Sequence, residues 1–141
     1  MPVRKANAQW EGDLKSGQGH MKLASGAYEG QFSFKTRFED GTGTNPEELV
    51  GAAHAGCFSM QFSAMLAEEG HAPDSIQTEA KVHFSTDGTP TIEKIELVCR
   101  GKVPGMDDAQ FKDIAAKAKD ACPVSRLYQG ADIELDAALE G

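Results

Sequence analysis

The chain is poor in cysteine and spreads it widely, with three residues, Cys57, Cys99 and Cys122, among 141. Three scattered cysteines cannot build a disulfide scaffold, and with no CxxC pair a structural zinc site has no support. A basic cluster is also missing. Lys and Arg number 14 against 22 Asp and Glu, for a formal net charge of −8. Such a surface repels phosphate backbones, which argues against nucleic acid as a partner. No apolar run reaches the ~18 residues that span a bilayer. The first twenty residues, "MPVRKANAQWEGDLKSGQGH", lack the apolar centre of a signal peptide. Repeats, low-complexity tracts and dividing linkers do not occur. The expectation is one cytoplasmic domain over residues 1–141 with no membrane partner. Hydrophobic residues at 40% and charged residues at 26% suit a globular chain with a packed core.

What is present reads first as strands. "HMKLAS" and "YEGQFSFKTRF" flank a Gly-containing turn, and Phe32, Phe34 and Phe38 share a face at period two. "EDGTGTN", residues 39–45, is a loop rich in turn formers. A helix opens next, with Asn45 as N-cap, Pro46 in the first turn and Glu48 as capping-box partner. From Leu49 to Leu66 it is apolar or small almost all round, and Gly70 supplies its C-cap. "SIQTEAKVHF" and "TIEKIELVCR" form a hairpin around "STDGTP". Asp107 caps a helix to about Ala121 with the stripe Phe111, Ile114, Ala115, Ala118, Cys122. Pro123 stops that helix. A short helical "VSRLY" and a strand "ADIELDAAL" close the chain.

Strands, central helix, hairpin, helix and strand make an α+β class with mostly antiparallel pairing. A central helix this apolar needs cover on every side, more than the remaining elements of so short a chain supply. Two such helices packed together in an obligate homodimer would meet the need.

The candidate chemistry begins with Cys57 and Cys122. Both face the core in this reading, and pattern alone allows either two separately packed thiols or a bonding pair. Arg37 reads as a solvent-facing strand residue among the Phe residues, and Glu47 as a favourable charge in a first helical turn. His54, one turn before Cys57, reads as a core or hydrogen-bonding histidine; metal binding with Cys57 and Cys122 is the alternative. Cys99 reads as packing. Met60, Met65 and the Phe residues fill a core or line an apolar channel.

"TRFEDGTGTNPEELVGAAHAGCFSM", residues 36–60, and "AKDACPVSRL", residues 118–127, resemble the paired motifs of the OsmC/Ohr family, the osmotically inducible and organic hydroperoxide resistance proteins. "AQWEGDLKSGQGH" resembles the OsmC branch. The resemblance covers nearly the whole chain. It implies an intertwined homodimer whose central apolar helices are wrapped by sheets from both chains. It implies a thiol-dependent peroxidase that reduces organic hydroperoxides and hydrogen peroxide without metal, haem or flavin cofactor. Cys57 would be the peroxidatic cysteine, Cys122 the resolving one, Arg37 the active-site arginine and Glu47 its partner. An external dithiol, often a dihydrolipoyl group on a lipoylated protein, would regenerate the enzyme. The other class of function on this scaffold is a non-enzymatic redox sensor or apolar-ligand-binding protein.

The residue types suit peroxide chemistry. The nucleophile is a thiolate, and lowering a cysteine pKa to ~6 gains only about thirtyfold in thiolate at neutral pH. A further thousandfold needs ~4 kcal/mol off the barrier, which a fixed guanidinium at the departing oxygen can provide. Glu47 and Cys57 on one straight helix would lie ~15 Å apart along its axis, too far for Arg37 to touch both. That spacing predicts a helix break near Gly51 or Gly56, with N–H groups at a fresh helix start lowering the Cys57 pKa.

Overall fold

The computed structural model describes residues 2–140. They form six strands and four helices and divide into two compact units that meet in sequence between Leu49 and Val50.

The first unit holds β1 (Ala6–Glu11), β2 (Gln18–Leu23) and β3 (Glu29–Phe32), an antiparallel sheet in that order. The extended reading of "YEGQFSFKTRF" holds only to Phe32. Phe34–Phe38 is a short helix, α1. Ser33 turns the chain: its side chain accepts from the Thr36 N–H at 3.3 Å while its own N–H donates to Thr36 Oγ1 at 2.8 Å. That reciprocal cap outweighs the aromatic alternation. Phe34 and Phe38 satisfy a helical spacing equally well, and their rings stack at 4.9 Å.

The helix α2 (Pro46–Glu68) starts in the first unit and continues into the second. Asn45 caps it, accepting the Glu48 N–H at 2.7 Å; Gly70, at φ +83°, follows its end. The expected break is absent, because α2 runs unbroken from Pro46 to Glu68. Gly51 serves close packing instead of a hinge. A Cβ there would lie 3.2 Å from Val82 Cγ2 on the neighbouring strand.

In the second unit, β4 (Ser75–Ser85) and β5 (Thr91–Lys102) form the antiparallel hairpin, and β6 (Asp132–Leu139) pairs with β5 in parallel. The parallel pairing requires a crossover, which α3 (Asp108–Ala121) and α4 (Pro123–Leu127) provide. Asp107 caps α3 through the Gln110 N–H. Phe58, Phe62 and Leu66 of α2, Ile95, Leu97 and Cys99 of β5, and Phe111, Ala115, Ala118 and Cys122 form the core, each at 1% exposure or less. Phe62 and Phe111 meet at 4.8 Å between ring centres. By length and composition α2 could cross a bilayer; its Phe58, Phe62 and Leu66 are instead spent on this core. Cys99, with Thr78 opposite it across the ladder, is one of those core residues.

Candidate active site

Arg37 lies on α1 and Glu47 in the first turn of α2. They form a two-point ion pair: Arg37 Nε donates to Glu47 Oε1 at 3.0 Å and Nη2 to Oε2 at 2.9 Å. The carboxylate side is 11% exposed and the guanidinium side 37%, so the acid is the fixed member and the cation faces outward. Asn45 sets their spacing. Its Nδ2 donates to the Thr36 carbonyl while its Oδ1 caps α2, tying the two helices with one side chain. Beside Arg37 opens a hollow of about 320 Å³ walled by Trp10, Leu14, Phe32, Phe34, Phe38 and Pro46. The lining is apolar apart from Arg37 and Ser33. Of the Met and Phe residues expected to fill a core or line an apolar channel, Phe32, Phe34 and Phe38 line this hollow, and Met60 and Met65 do not. Met60 itself is 77% exposed, and Met65 packs on the core.

The cysteine pair lies in the second unit. Cys122 caps the end of α3 and immediately precedes α4, because Pro123 cannot continue the helical ladder. Its thiol donates to Cys57 Sγ across 3.0 Å, although 65 residues separate the two. Both are thiols, Cys122 buried and Cys57 half-buried. Burial first, and then the neighbouring Cys122 sulfur, push the Cys57 pKa above its ordinary value; a Val124 backbone N–H directed at the sulfur opposes them. The anticipated lowering by a fresh helix start is thus reversed in sign, since desolvation outweighs one N–H. The helix start does exist, but it belongs to α4. Pro123 directly after the cysteine was its sequence signal, since Pro favours first turns whose N–H groups lack helical partners.

His54 is fully buried on α2, one turn before Cys57. Its Nε2 lies 2.7 Å from Ser125 Oγ, and its ring meets Tyr128 edge-on at 5.3 Å. Burial holds its pKa below the usual histidine value. No group of three or more His, Cys, Asp or Glu side chains able to hold a metal occurs among the described residues. Ser125, which nothing in the motif marked out, is what engages His54. The structure therefore brings the four candidate residues together as two pairs, Arg37 with Glu47 and Cys57 with Cys122.

A family model described as "OsmC-like protein" matches residues 39–136. The chain belongs to the OsmC family. It is 48% identical to peroxiredoxin OsmC of Escherichia coli over 97% of this chain and 96% of that one. An organic hydroperoxide resistance protein of Xanthomonas axonopodis is 33% identical over 64% of this chain and 63% of its own. Among solved structures, OhrB of Bacillus subtilis superposes with a TM-score of 0.75 at 24% identity, covering 94% of this chain and 97% of that one. The α+β fold of two sheets and a long apolar helix is thus the OsmC fold.

Proposed function

We propose that the protein is a thiol peroxidase that reduces organic hydroperoxides, and hydrogen peroxide, through Cys57 and Cys122. The observation carrying the proposal is the 3.0 Å approach of two sulfurs from distant parts of the chain. A disulfide needs ~2.05 Å between sulfurs, so closure takes a movement of about 1 Å. The 48% identity to a peroxiredoxin supports the same reading.

In the first step the Cys57 thiolate attacks one peroxide oxygen. The O–O bond breaks with both electrons on the leaving oxygen, which takes a proton and departs as alcohol or water. Cys57 is left as a sulfenic acid. We assign Arg37, of the same chain or of a second copy in a homodimer, to the negative charge that develops on the departing oxygen, a task for a permanent, directional cation. Glu47 holds the guanidinium through both of its oxygens. The hollow beside Arg37 gives an alkyl or aryl group a place out of water, which favours organic peroxides. In the second step Cys122 sulfur bonds to Cys57 sulfur and the S–O bond breaks. Hydroxide leaves and, with the thiol proton, becomes water. An external dithiol, of the dihydrolipoyl type, returns the disulfide to two thiols.

We further propose that the working form is a homodimer. Along α2, Ala52, Ala53, Gly56, Met60 and Ala64 form an exposed, apolar, small-residue face, which a second copy of the same helix would cover.

The test is peroxide consumption with dithiothreitol for the wild type, Cys57→Ser, Cys122→Ser and Arg37→Ala. Wild type turns over many times, Cys57→Ser not at all, Cys122→Ser once before inactivating, and Arg37→Ala at least a hundredfold more slowly. A wild type that oxidises once and is not recycled by dithiol is a sensor, and the peroxidase reading is then wrong.

A further inference from the structure

The cysteine contact is one of several ties between the same two segments, and three of them are spaced along both. Tyr128 Oη donates to the Val50 carbonyl at 3.3 Å, His54 Nε2 meets Ser125 Oγ at 2.7 Å, and Cys122 meets Cys57 at 3.0 Å. Val50, His54 and Cys57 climb α2 in successive turns, while Tyr128, Ser125 and Cys122 descend α4 and its two flanking residues. The two segments lie antiparallel, and the ties are rungs between them. The redox pair is the end rung, and the buried His54–Ser125 bond is the rung next to it.

That neighbouring rung carries a cost. His54 Nδ1 is buried with no hydrogen-bond partner among the described residues. An apolar side chain of the same volume would fill the space without stranding a ring nitrogen. With Nδ1 unprotonated, Nε2–H donates to Ser125 Oγ, and the stranded atom is a lone pair, the less costly arrangement. The tie also acts next to a corner of the chain. Cys122 has extended dihedrals, φ −60° and ψ 122°, at the corner between α3 and α4, where its N–H donates to the Ala118 carbonyl and its carbonyl accepts the Arg126 N–H, so the placement of α4 carries its thiol.

We propose that His54 and Ser125 are positioning residues for the resolving step: their bond pins α4 against α2 so that Cys122 stays within reach of Cys57 once Cys57 becomes a sulfenic acid. The inference rests on the two-cysteine reading above. The sulfenic acid has two fates. Cys122 can attack Cys57 sulfur, forming S–S, breaking S–O and releasing water. A second hydroperoxide can instead oxidise the sulfenic acid to sulfinic acid, itself leaving as alcohol. The first is intramolecular, so its advantage is the effective concentration of the Cys122 thiol, which depends on α4 being held. Neither His54 nor Ser125 exchanges protons or electrons in this scheme.

The experiment measures how the sulfenic acid partitions. Reduced wild type, His54→Leu, His54→Gln and Ser125→Ala are each mixed with the same large excess of tert-butyl hydroperoxide, which supplies the second oxidant that sulfinic acid requires. Disulfide and sulfinic acid are then counted by mass spectrometry after quenching with an alkylating agent. Circular dichroism fixes the folded fraction of each variant. The expected result is a disulfide-to-sulfinic ratio about tenfold lower in His54→Leu and Ser125→Ala. His54→Gln, whose side-chain amide N–H reaches as far as Nε2, recovers most of it. A residue that only fills space would not be rescued in this way. Ratios within twofold of wild type in the folded Leu and Ala variants overturn the proposal, as does a Gln variant no better than Leu. Should His54→Leu fail to fold, Ser125→Ala, which deletes one hydroxyl, decides the matter together with His54→Gln. A wild type that forms no Cys57–Cys122 disulfide would instead remove the underlying two-cysteine reading, a result distinct from equal partitioning among the variants.

Discussion

Glu47→Gln isolates the orientation of the cation from its charge. The substitution keeps the shape of the side chain and one carbonyl oxygen, but turns the other contact into an NH2 group facing an N–H of Arg37. Of the two bonds, at 3.0 and 2.9 Å, one is lost and becomes a donor–donor clash. A hydrogen bond to a charged group contributes about 1.5–3 kcal/mol. The guanidinium is 37% exposed, and water screens part of that, so the stability loss should be about 1–2 kcal/mol. The kinetic loss should be larger. A catalytic donor that is no longer held in place costs about a hundredfold in rate, seen in kcat/KM for a hydroperoxide rather than in dithiol recycling. Urea unfolding gives the first quantity and stopped-flow peroxide kinetics the second. A double-mutant cycle with Arg37→Ala closes the argument. If Glu47 acts only through Arg37, the double variant is no slower than Arg37→Ala. Full additivity of the two losses, or Glu47→Gln with a wild-type peroxide rate, refutes the assigned role.

Other consequences follow from packing and burial. Gly51→Val would press branched carbons into Val82 Cγ2, already 3.2 Å from the position of a Cβ, and should destabilise by about 1–3 kcal/mol in urea unfolding. Phe111→Ala, at 0% exposure in the core, should lose about 3–5 kcal/mol by the same measurement. Ser33→Ala removes the cap of α1 and should cost about 1 kcal/mol, with a fall in peroxide rate because Arg37 rides on that helix. Burial lowers the His54 pKa from 6.5, so the unfolded chain binds the extra proton first. Stability should therefore decline as pH falls below about 6.5 and keep declining until the folded-state pKa is passed, by at most ~1.4 kcal/mol per pH unit. His54→Gln should remove this part of the slope, which a comparison of unfolding curves between pH 7 and 5 reads directly.

Much of the framework was legible because local signals agreed with burial. Asn45 with Pro46, Asp107 with Gln110, and the stripe from Phe111 to Cys122 each placed an element whose structure follows the pattern. The β1 strand carried no marked alternation and was not anticipated. At Phe34–Phe38 the aromatic spacing fits both periods, and the Ser33–Thr36 cap decided it locally. The break expected in α2 came from the ~15 Å that a straight helix puts between Glu47 and Cys57, with Gly51 and Gly56 as the residues to absorb it. Gly51 instead answers to a neighbouring strand, which no single sequence reveals. The motif drew attention to Arg37, Glu47, Cys57 and Cys122. It said nothing of Ser125 or Tyr128, because a serine becomes a partner for His54 only when the chain after Pro123 folds back along α2.

The sign of the Cys57 shift bears on where the rate is gained. Burial that raises the Cys57 pKa keeps the sulfur largely in its unreactive thiol form at neutral pH. For an ordinary thiol, complete ionisation at pH 7 would return only about thirtyfold, less the nucleophilicity lost as the pKa falls. Each further tenfold needs ~1.4 kcal/mol from some other source. A cation placed at the departing oxygen supplies it without altering the sulfur, because the charge it meets is formed only as the O–O bond breaks. If this is where the catalysis lies, Arg37→Lys should retain the charge but lose the two-point hold of Glu47, and its peroxide rate should fall well below wild type. Alkylation of Cys57 by iodoacetamide, which develops iodide and needs no oxygen stabilised, should change far less. Equal losses in the two reactions would place the effect of Arg37 on the thiolate instead, and the leaving-oxygen argument would fail.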